Sequence, residues 1–355
     1  MNRRYQKLHR VIDEKNLDAV LILQPENRRY FAGFTGSAGY AVVSKSANHF
    51  ITDFRYAQQS ERQCEGYTVS LTGTDKNWMA ILKTFGYKKI GIEDGYMDAA
   101  TYLKLKKEMP GADFIQLGDT LTRIRSVKEE GEIEDLRMAA QIADQAFTHI
   151  LGVLRPGMSE LEVQLEMEFF MRRQGASGLS FDMIVASGLR SALPHGVASD
   201  KIIEKGDFLT LDFGCIYQGY CSDMTRTVVI GQADERQKEI YQTVLEAQMK
   251  VFDYIRPGES CKKLDAVARD HIIAKGYGQY FGHGLGHGVG LEIHELPNVN
   301  PQSQTILEEN MVITNEPGIY IPDFGGVRIE DLIVVRREGY ELLSHSPKQL
   351  MEVNN

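Results

Sequence analysis

The sequence predicts an α+β protein of two domains, and three observations carry that expectation. Short apolar runs alternate with helical stretches over the first ~125 residues, the mark of an α/β domain. A segment of the remainder recurs 101 residues later. The strands of that repeat each hold a carboxylate where an apolar run should continue.

In the first part, DAVLIL (18–23), YAVVS (40–44), HFIT (49–52), YTVSL (67–71), KIGIE (89–93) and DFIQL (113–117) read as strands. Between them YQKLHRVIDEKN, RYAQQSERQ, NWMAILKTFG and DAATYLKLKKEM read as helices, so a largely parallel or mixed sheet is expected. The domain boundary is expected between residues 125 and 126. Ser126 followed by Glu129 predicts a capping box that opens a long helix, ending at Arg155-Pro156-Gly157.

RPGMSELEV at 155–163 recurs as RPGESCKKLDAV at 256–267, and Gly175 recurs as Gly276. Each RPG follows one amphipathic helix and precedes another. Each unit then reaches two apolar strands: GDFLTLDFG (206–214) and CSDMTRTVVI (221–230), then ENMVITNEPG (309–318) and GVRIEDLIVV (326–335). Residues 126–355 are therefore expected to form two α–α–β–β halves about a pseudo-twofold, with a mainly antiparallel sheet between the helices.

The carboxylates are Asp212, Asp223, Glu316 and Glu330, with Asp212 equivalent to Glu316 and Asp223 to Glu330. Symmetry brings all four to the axis between the halves. Buried carboxylates repel and are costly unless a cation joins them. Beside them lies FGHGLGHGVGLEIHE (281–295), three histidines on a glycine-rich backbone. Oxygen-rich ligation with one imidazole suits Mn²⁺ or Co²⁺, and four carboxylates match a two-metal site better than one catalytic zinc. HELPN (294–298) lacks the second histidine of the helical HExxH zinc motif.

Composition narrows the function. The 355 residues are 43% apolar and 25% charged, an ordinary globular balance. Forty basic residues against 49 acidic give −9, which argues against a general nucleic-acid binder. Cys64, Cys215, Cys221 and Cys261 form no CxxC pair and fit a reducing cytoplasm. No signal-peptide apolar core is seen, and no stretch nears the ~18 apolar residues of a membrane span.

PHG (194–196), LDFG (211–214), SDMTRT (222–227), GHGLGHGVGLEIHE (282–295), NEPGIY (315–320) and VRIED (327–331) together resemble the pita-bread metallopeptidases. The resemblance covers essentially the whole chain. NRRYFAGFTGSAGYAVVS and ITDFRYAQQ resemble the creatinase-like domain that precedes the catalytic part in aminopeptidase P, prolidase and creatinase. Methionine aminopeptidases lack that domain.

The resemblance implies a two-metal exopeptidase that cleaves Xaa-Pro bonds, either a prolidase acting on dipeptides or an aminopeptidase P. It implies two divalent ions, manganese first, with cobalt and zinc as alternatives. Asp212 would hold one ion, His287 and Glu316 the other, and Asp223 and Glu330 would bridge. Glu316 would also move a proton, His195 and His294 would face the bound peptide, and His283 would line the pocket. A homodimer is implied, with proline-containing peptides as substrates. Strand alternation puts Arg328 on the face of Glu330, to pair with a ligand carboxylate or grip substrate, and Thr225 on the face of Asp223. Two other readings share the fold: a metal-free creatinase-type hydrolase and a non-enzymatic binding protein. Both belong to relatives with altered ligand residues, whereas all five stand in this chain.

Overall fold

The computed structural model describes residues 3–354. They divide into two compact units between Arg125 and Ser126.

The first unit is built on a six-stranded mixed sheet. Its strands are Ala19–Ile22 (β1), Tyr40–Ser44 (β2), Asn48–Thr52 (β3), Thr68–Leu71 (β4), Lys89–Ile92 (β5) and Asp113–Gln116 (β6), in the order β4-β3-β2-β1-β5-β6. β1 runs antiparallel to β2 and parallel to β5. All six expected strands form; apolar side chains of β1, β2, β3, β5 and β6 close a buried core with Met79, Leu82 and Leu105, while β4 lies at the sheet edge with Leu71 exposed. The expected helices also form, within a few residues: Arg3–Glu14 (α1), Ala57–Gln63 (α3), Trp78–Thr84 (α4) and Ala99–Glu108 (α5). Pro25–Ala32 (α2) was not expected, although Pro25 opens it with a preset φ.

The segment joining the units departs from expectation. Thr120–Ser126 is itself a short helix (α6), so Ser126 ends one helix instead of opening the next. Val127 bridges Met311, and the Lys128 amide donates to the Asn310 carbonyl at 2.9 Å. Those extended contacts delay the long helix Glu130–Val153 (α7) until Glu129, whose amide is capped by the Glu132 carboxylate at 2.9 Å.

In the second unit the repeat is visible in detail. The first half has α7 and Glu160–Arg173 (α8), then the strands Gly178–Leu179 (β7), Ile184–Ser187 (β8), Phe208–Phe213 (β9), Cys215–Tyr217 (β10), Tyr220–Cys221 (β11) and Met224–Ile230 (β12). The second half has Glu235–Phe252 (α9) and Cys261–Ala274 (α10). Its strands are Gly286–Gly288 (β13), Glu295–Val299 (β14), Val312–Asn315 (β15), Gly318–Ile321 (β16), Gly325–Arg328 (β17), Asp331–Arg336 (β18) and Gly339–Leu342 (β19), followed by the C-terminal Glu352–Val353 (β20). Ser159 caps α8 and Ser260 caps α10. Gly157 and Gly258, at φ +92° and +89°, both send their amides 2.9 Å to a carbonyl next to an isolated β-bridge, Ile203 and Leu307 respectively.

The single sheet expected between the helices is instead divided. A four-stranded sheet, β20-β12-β9-β8, serves the first half and a five-stranded sheet, β14-β13-β15-β18-β19, the second. Two expected continuous strands break at their carboxylates: 221–230 between β11 and β12 at Asp223, and 326–335 between β17 and β18 at Glu330. From inside the paired strand β9, by contrast, Asp212 reaches the cleft those two acids line. At the two breaks, side chains and cross-connections take over. The Ser222 hydroxyl accepts the Cys215 amide at 3.0 Å, and the Glu330 amide donates to the Thr225 carbonyl at 3.1 Å. Among the described residues no helix is long and apolar enough to cross a membrane.

Candidate metal centre

Nine of the residues singled out in the sequence line one cleft of about 450 Å³ in the second unit: Asp212, Asp223, His287, Glu316 and Glu330, with His195, His283, His294 and Arg328; the tenth, Thr225, stands outside the lining and bonds to Glu330. Asp212 lies near the end of β9, His287 in the middle of β13, and Glu316 directly after β15. Asp223 and Glu330 occupy the two strand breaks.

Asp223, His287 and Glu330 each offer a ligand atom within 4.8 Å of the others. His287 Nε2 lies 3.3 Å from Glu316 Oε1 and 3.5 Å from Asp223 Oδ2. The other ring nitrogen, Nδ1, donates to the Gly288 carbonyl at 3.1 Å, which fixes the tautomer and aims Nε2 at the acids. Asp212 keeps one buried oxygen, Oδ1, with no hydrogen-bond partner in the protein. A buried orphan oxygen beside clustered carboxylates and an aimed imidazole is a donor set that fits divalent cations.

Electrostatics agree. Burial, then the charges of their neighbours, pushes the Asp223 and Glu330 carboxyls well above their usual range. Burial also raises Asp212, against the opposing pull of Arg328. Burial acts to raise Glu316 as well, but the hydrogen bond and charge of His287 outweigh it and hold that group down at about 2. Burial works to lower His287, and the Glu316 carboxylate prevails and raises it. The two groups thus favour each other's charged forms.

Supporting side chains fix the acids. Thr225 donates to Glu330 Oε2 at 2.6 Å and accepts from Arg328 Nε at 3.0 Å. Arg328 Nη2 donates to Asp212 Oδ2 at 2.6 Å, and its Nη1 reaches Tyr320 and the Pro194 carbonyl. Of the two expectations for Arg328, pairing with a carboxylate is the one observed. His195 and His294 face the cleft, and the His294 ring packs edge-on to His287 with centroids 4.2 Å apart.

Two residues escaped the sequence reading. Thr314 accepts the His287 amide and donates to Glu316 Oε1, both at 3.0 Å. It lies two before Glu316, so the alternation that singled out Thr225 would have found it. The Tyr320 hydroxyl accepts from Arg328 Nη1 at 2.7 Å and meets His283 Nε2 at 2.9 Å, while His283 Nδ1 faces the Gly284 carbonyl at 2.7 Å. Tyr320 closes the NEPGIY motif, but nothing in the sequence gave it a role.

The glycines of 281–295 also find their reason. A Cβ on Gly286 would sit 2.3 Å from the Thr314 carbonyl oxygen, and one on Gly288 2.2 Å from that of Leu296. β13 carries His287 into the site only because its backbone can touch both neighbours. Gly286→Ala is therefore expected to cost on the order of 3 kcal/mol and to displace His287. Urea unfolding with a parallel Mn²⁺ titration checks this.

The metal-free protein has a predicted pH response. Asp212, Asp223 and Glu330 titrate higher folded than unfolded, so their contribution to stability is complete below about pH 4 and is lost as pH rises. With a chelator present, the Tm should fall as pH rises above about 4, and Mn²⁺ should abolish the fall while releasing protons. Scanning calorimetry with and without chelator tests it, and a metal-free Tm that climbs with pH would refute it.

Comparison with known proteins accords with this geometry. Residues 134–337 match metallopeptidase family M24, and residues 4–127 match the creatinase/prolidase N-terminal domain. An Xaa-Pro dipeptidase of Pyrococcus horikoshii is 41% identical, over 99% of each chain. The solved structure of an Xaa-Pro dipeptidase from Bacillus anthracis is 49% identical with a TM-score of 0.94, covering 98% of each chain. That of an X-Pro aminopeptidase from Thermotoga maritima is 40% identical with a TM-score of 0.91, covering 99% of this chain and 100% of the other. The chain belongs to metallopeptidase family M24, with a creatinase/prolidase N-terminal domain ahead of its catalytic part.

Proposed function

We propose that the protein is a metal-dependent Xaa-Pro dipeptidase whose two divalent ions are held by Asp212, Asp223, His287, Glu316 and Glu330. The observation that carries this reading is the convergence of Asp223, His287 and Glu330 at the floor of a cleft lined by His195, His283 and His294. Manganese suits the oxygen-rich donor set best, with cobalt and zinc as alternatives. When bound, the ions supply charge neutralisation, carbonyl polarisation and water activation.

The chain's own groups do the rest. Glu316 is the group that would take a proton from the attacking water and return it to the leaving proline nitrogen. His195 and His294 donate hydrogen bonds to the oxygen that becomes negative as the carbonyl is attacked. Tyr320 and the Gly284 carbonyl hold His283 at the wall of the pocket. An imide bond before proline has no N–H, so the pocket must grip the ring and carbonyl instead of an amide.

The names of the relatives support the Xaa-Pro specificity. The likeness to an X-Pro aminopeptidase keeps longer peptides as the second reading. A homodimer in the cytoplasm completes the proposal. The test is hydrolysis by Mn²⁺-loaded protein of an Xaa-Pro dipeptide beside the matching Xaa-Pro-Yaa tripeptide. Faster dipeptide cleavage is expected, faster tripeptide cleavage would assign an aminopeptidase, and cleavage of neither would overturn the reading.

Residue roles separate by metal content. Asp223→Ala should lose metal and activity together. His294→Ala should keep its metal, measured by atomic emission, and lose on the order of a hundredfold in kcat.

A further inference from the structure

Arg226 lies in SDMTRT, one residue past Thr225 on β12 and therefore on the opposite face of the strand. It is completely buried. Its donors are spent on backbone and one acid. Nε donates to the Pro347 carbonyl at 3.0 Å. Nη1 donates to the carbonyls of Thr225, at 2.9 Å, and Glu330. Nη2 donates to the Ser346 carbonyl at 2.8 Å and to Asp331 Oδ1 at 2.7 Å. Asp331 Oδ2 in turn accepts from Gln248 at 2.9 Å and Lys348 at 2.6 Å.

Glu330 falls in the break between β17 and β18, outside the regular ladder. Its carbonyl must still be satisfied, and Arg226 does so from behind, while Thr225 holds its carboxylate from the front. The guanidinium also gathers residues 346–347, which lie beyond the family match ending at 337. The Tyr241 hydroxyl on α9 pins the Lys348 carbonyl at 2.8 Å.

We propose that Arg226 is a positioning residue for the metal centre, locking the backbone of Glu330, and that the C-terminal segment 346–348 belongs to this lock. The proposal rests on the reading of Glu330 as a metal ligand. A buried ion pair stripped of one partner leaves an uncompensated charge, so the network holds as a unit or gives way as one. Loosening it lets the Glu330 carboxylate drift from the position it shares with Asp223. A simple structural brace would lower thermal stability and leave metal affinity alone.

The test is calorimetric titration of Mn²⁺ into chelator-treated full-length protein, with the Tm of the metal-free form measured alongside. Lys348→Met perturbs the outer end of the network at a partly exposed site. It should weaken Mn²⁺ binding about tenfold. Lys348→Arg, which keeps the charge, should restore wild-type affinity, and Arg226→Lys should weaken binding further. If Lys348→Met and Arg226→Lys fold but bind Mn²⁺ as tightly as wild type, with only the Tm lowered, the proposal is overturned. Should Arg226→Lys fail to fold, the Lys348 pair decides alone. Glu330→Ala in the same titration separates the two readings: unchanged affinity there would fell the ligand assignment and this proposal with it. Mn²⁺ binding without Xaa-Pro cleavage would fell only the substrate assignment.

Discussion

Four carboxylates share one dry site, and their mutual repulsion governs the architecture around them. Asp212, Asp223, Glu316 and Glu330 come from two halves of one unit, and each half by itself would carry two acids with no reason to be buried. Bringing them together is unfavourable until positive charge arrives. The protein meets part of that need internally, through Arg328 against Asp212 and the His287 imidazole 3.3 Å from Glu316. The rest falls to cations, for which the orphan oxygen of Asp212 stands ready.

Holding repelling groups still takes rigid neighbours. Two threonines each join a cleft acid to a second element: Thr225 links Glu330 to Arg328, and Thr314 links Glu316 to the His287 backbone. Short β-branched hydroxyls suit this work, because one preferred χ1 leaves little freedom to lose. The bare backbone of β13 does the same for His287, whose amide seats on Thr314 because Gly286 has no side chain to interfere, while Gly288 lets the strand lie against Leu296.

Much of this was legible in the sequence, for a physical reason. An internal repeat doubles every signal, so the RPG turns, their following serine caps and the carboxylates in apolar strands each appear twice. The four carboxylates picked on that basis line the cleft, together with the four histidines that the resemblance marked and Arg328, which strand alternation marked. What escaped depends on tertiary contacts. Ser126 and Glu129 have the spacing of a capping box, yet pairing of residues 127–128 with 310–311 moves the cap to Glu129. Two strands read as continuous because periodicity cannot show that the chain bends where Asp223 and Glu330 turn inward. Tyr320 matters only because Arg328 and His283 converge on its hydroxyl from distant segments.

The division of ligands between the halves has a consequence for biosynthesis. Asp212 and Asp223 emerge from the ribosome well before His287, Glu316 and Glu330. A nascent chain displaying only the first pair has two acids at the end of a sheet, a poor trap for any cation. Cation capture thus waits until the second half has been made and has docked, so loading reports that translation and folding of that unit are complete.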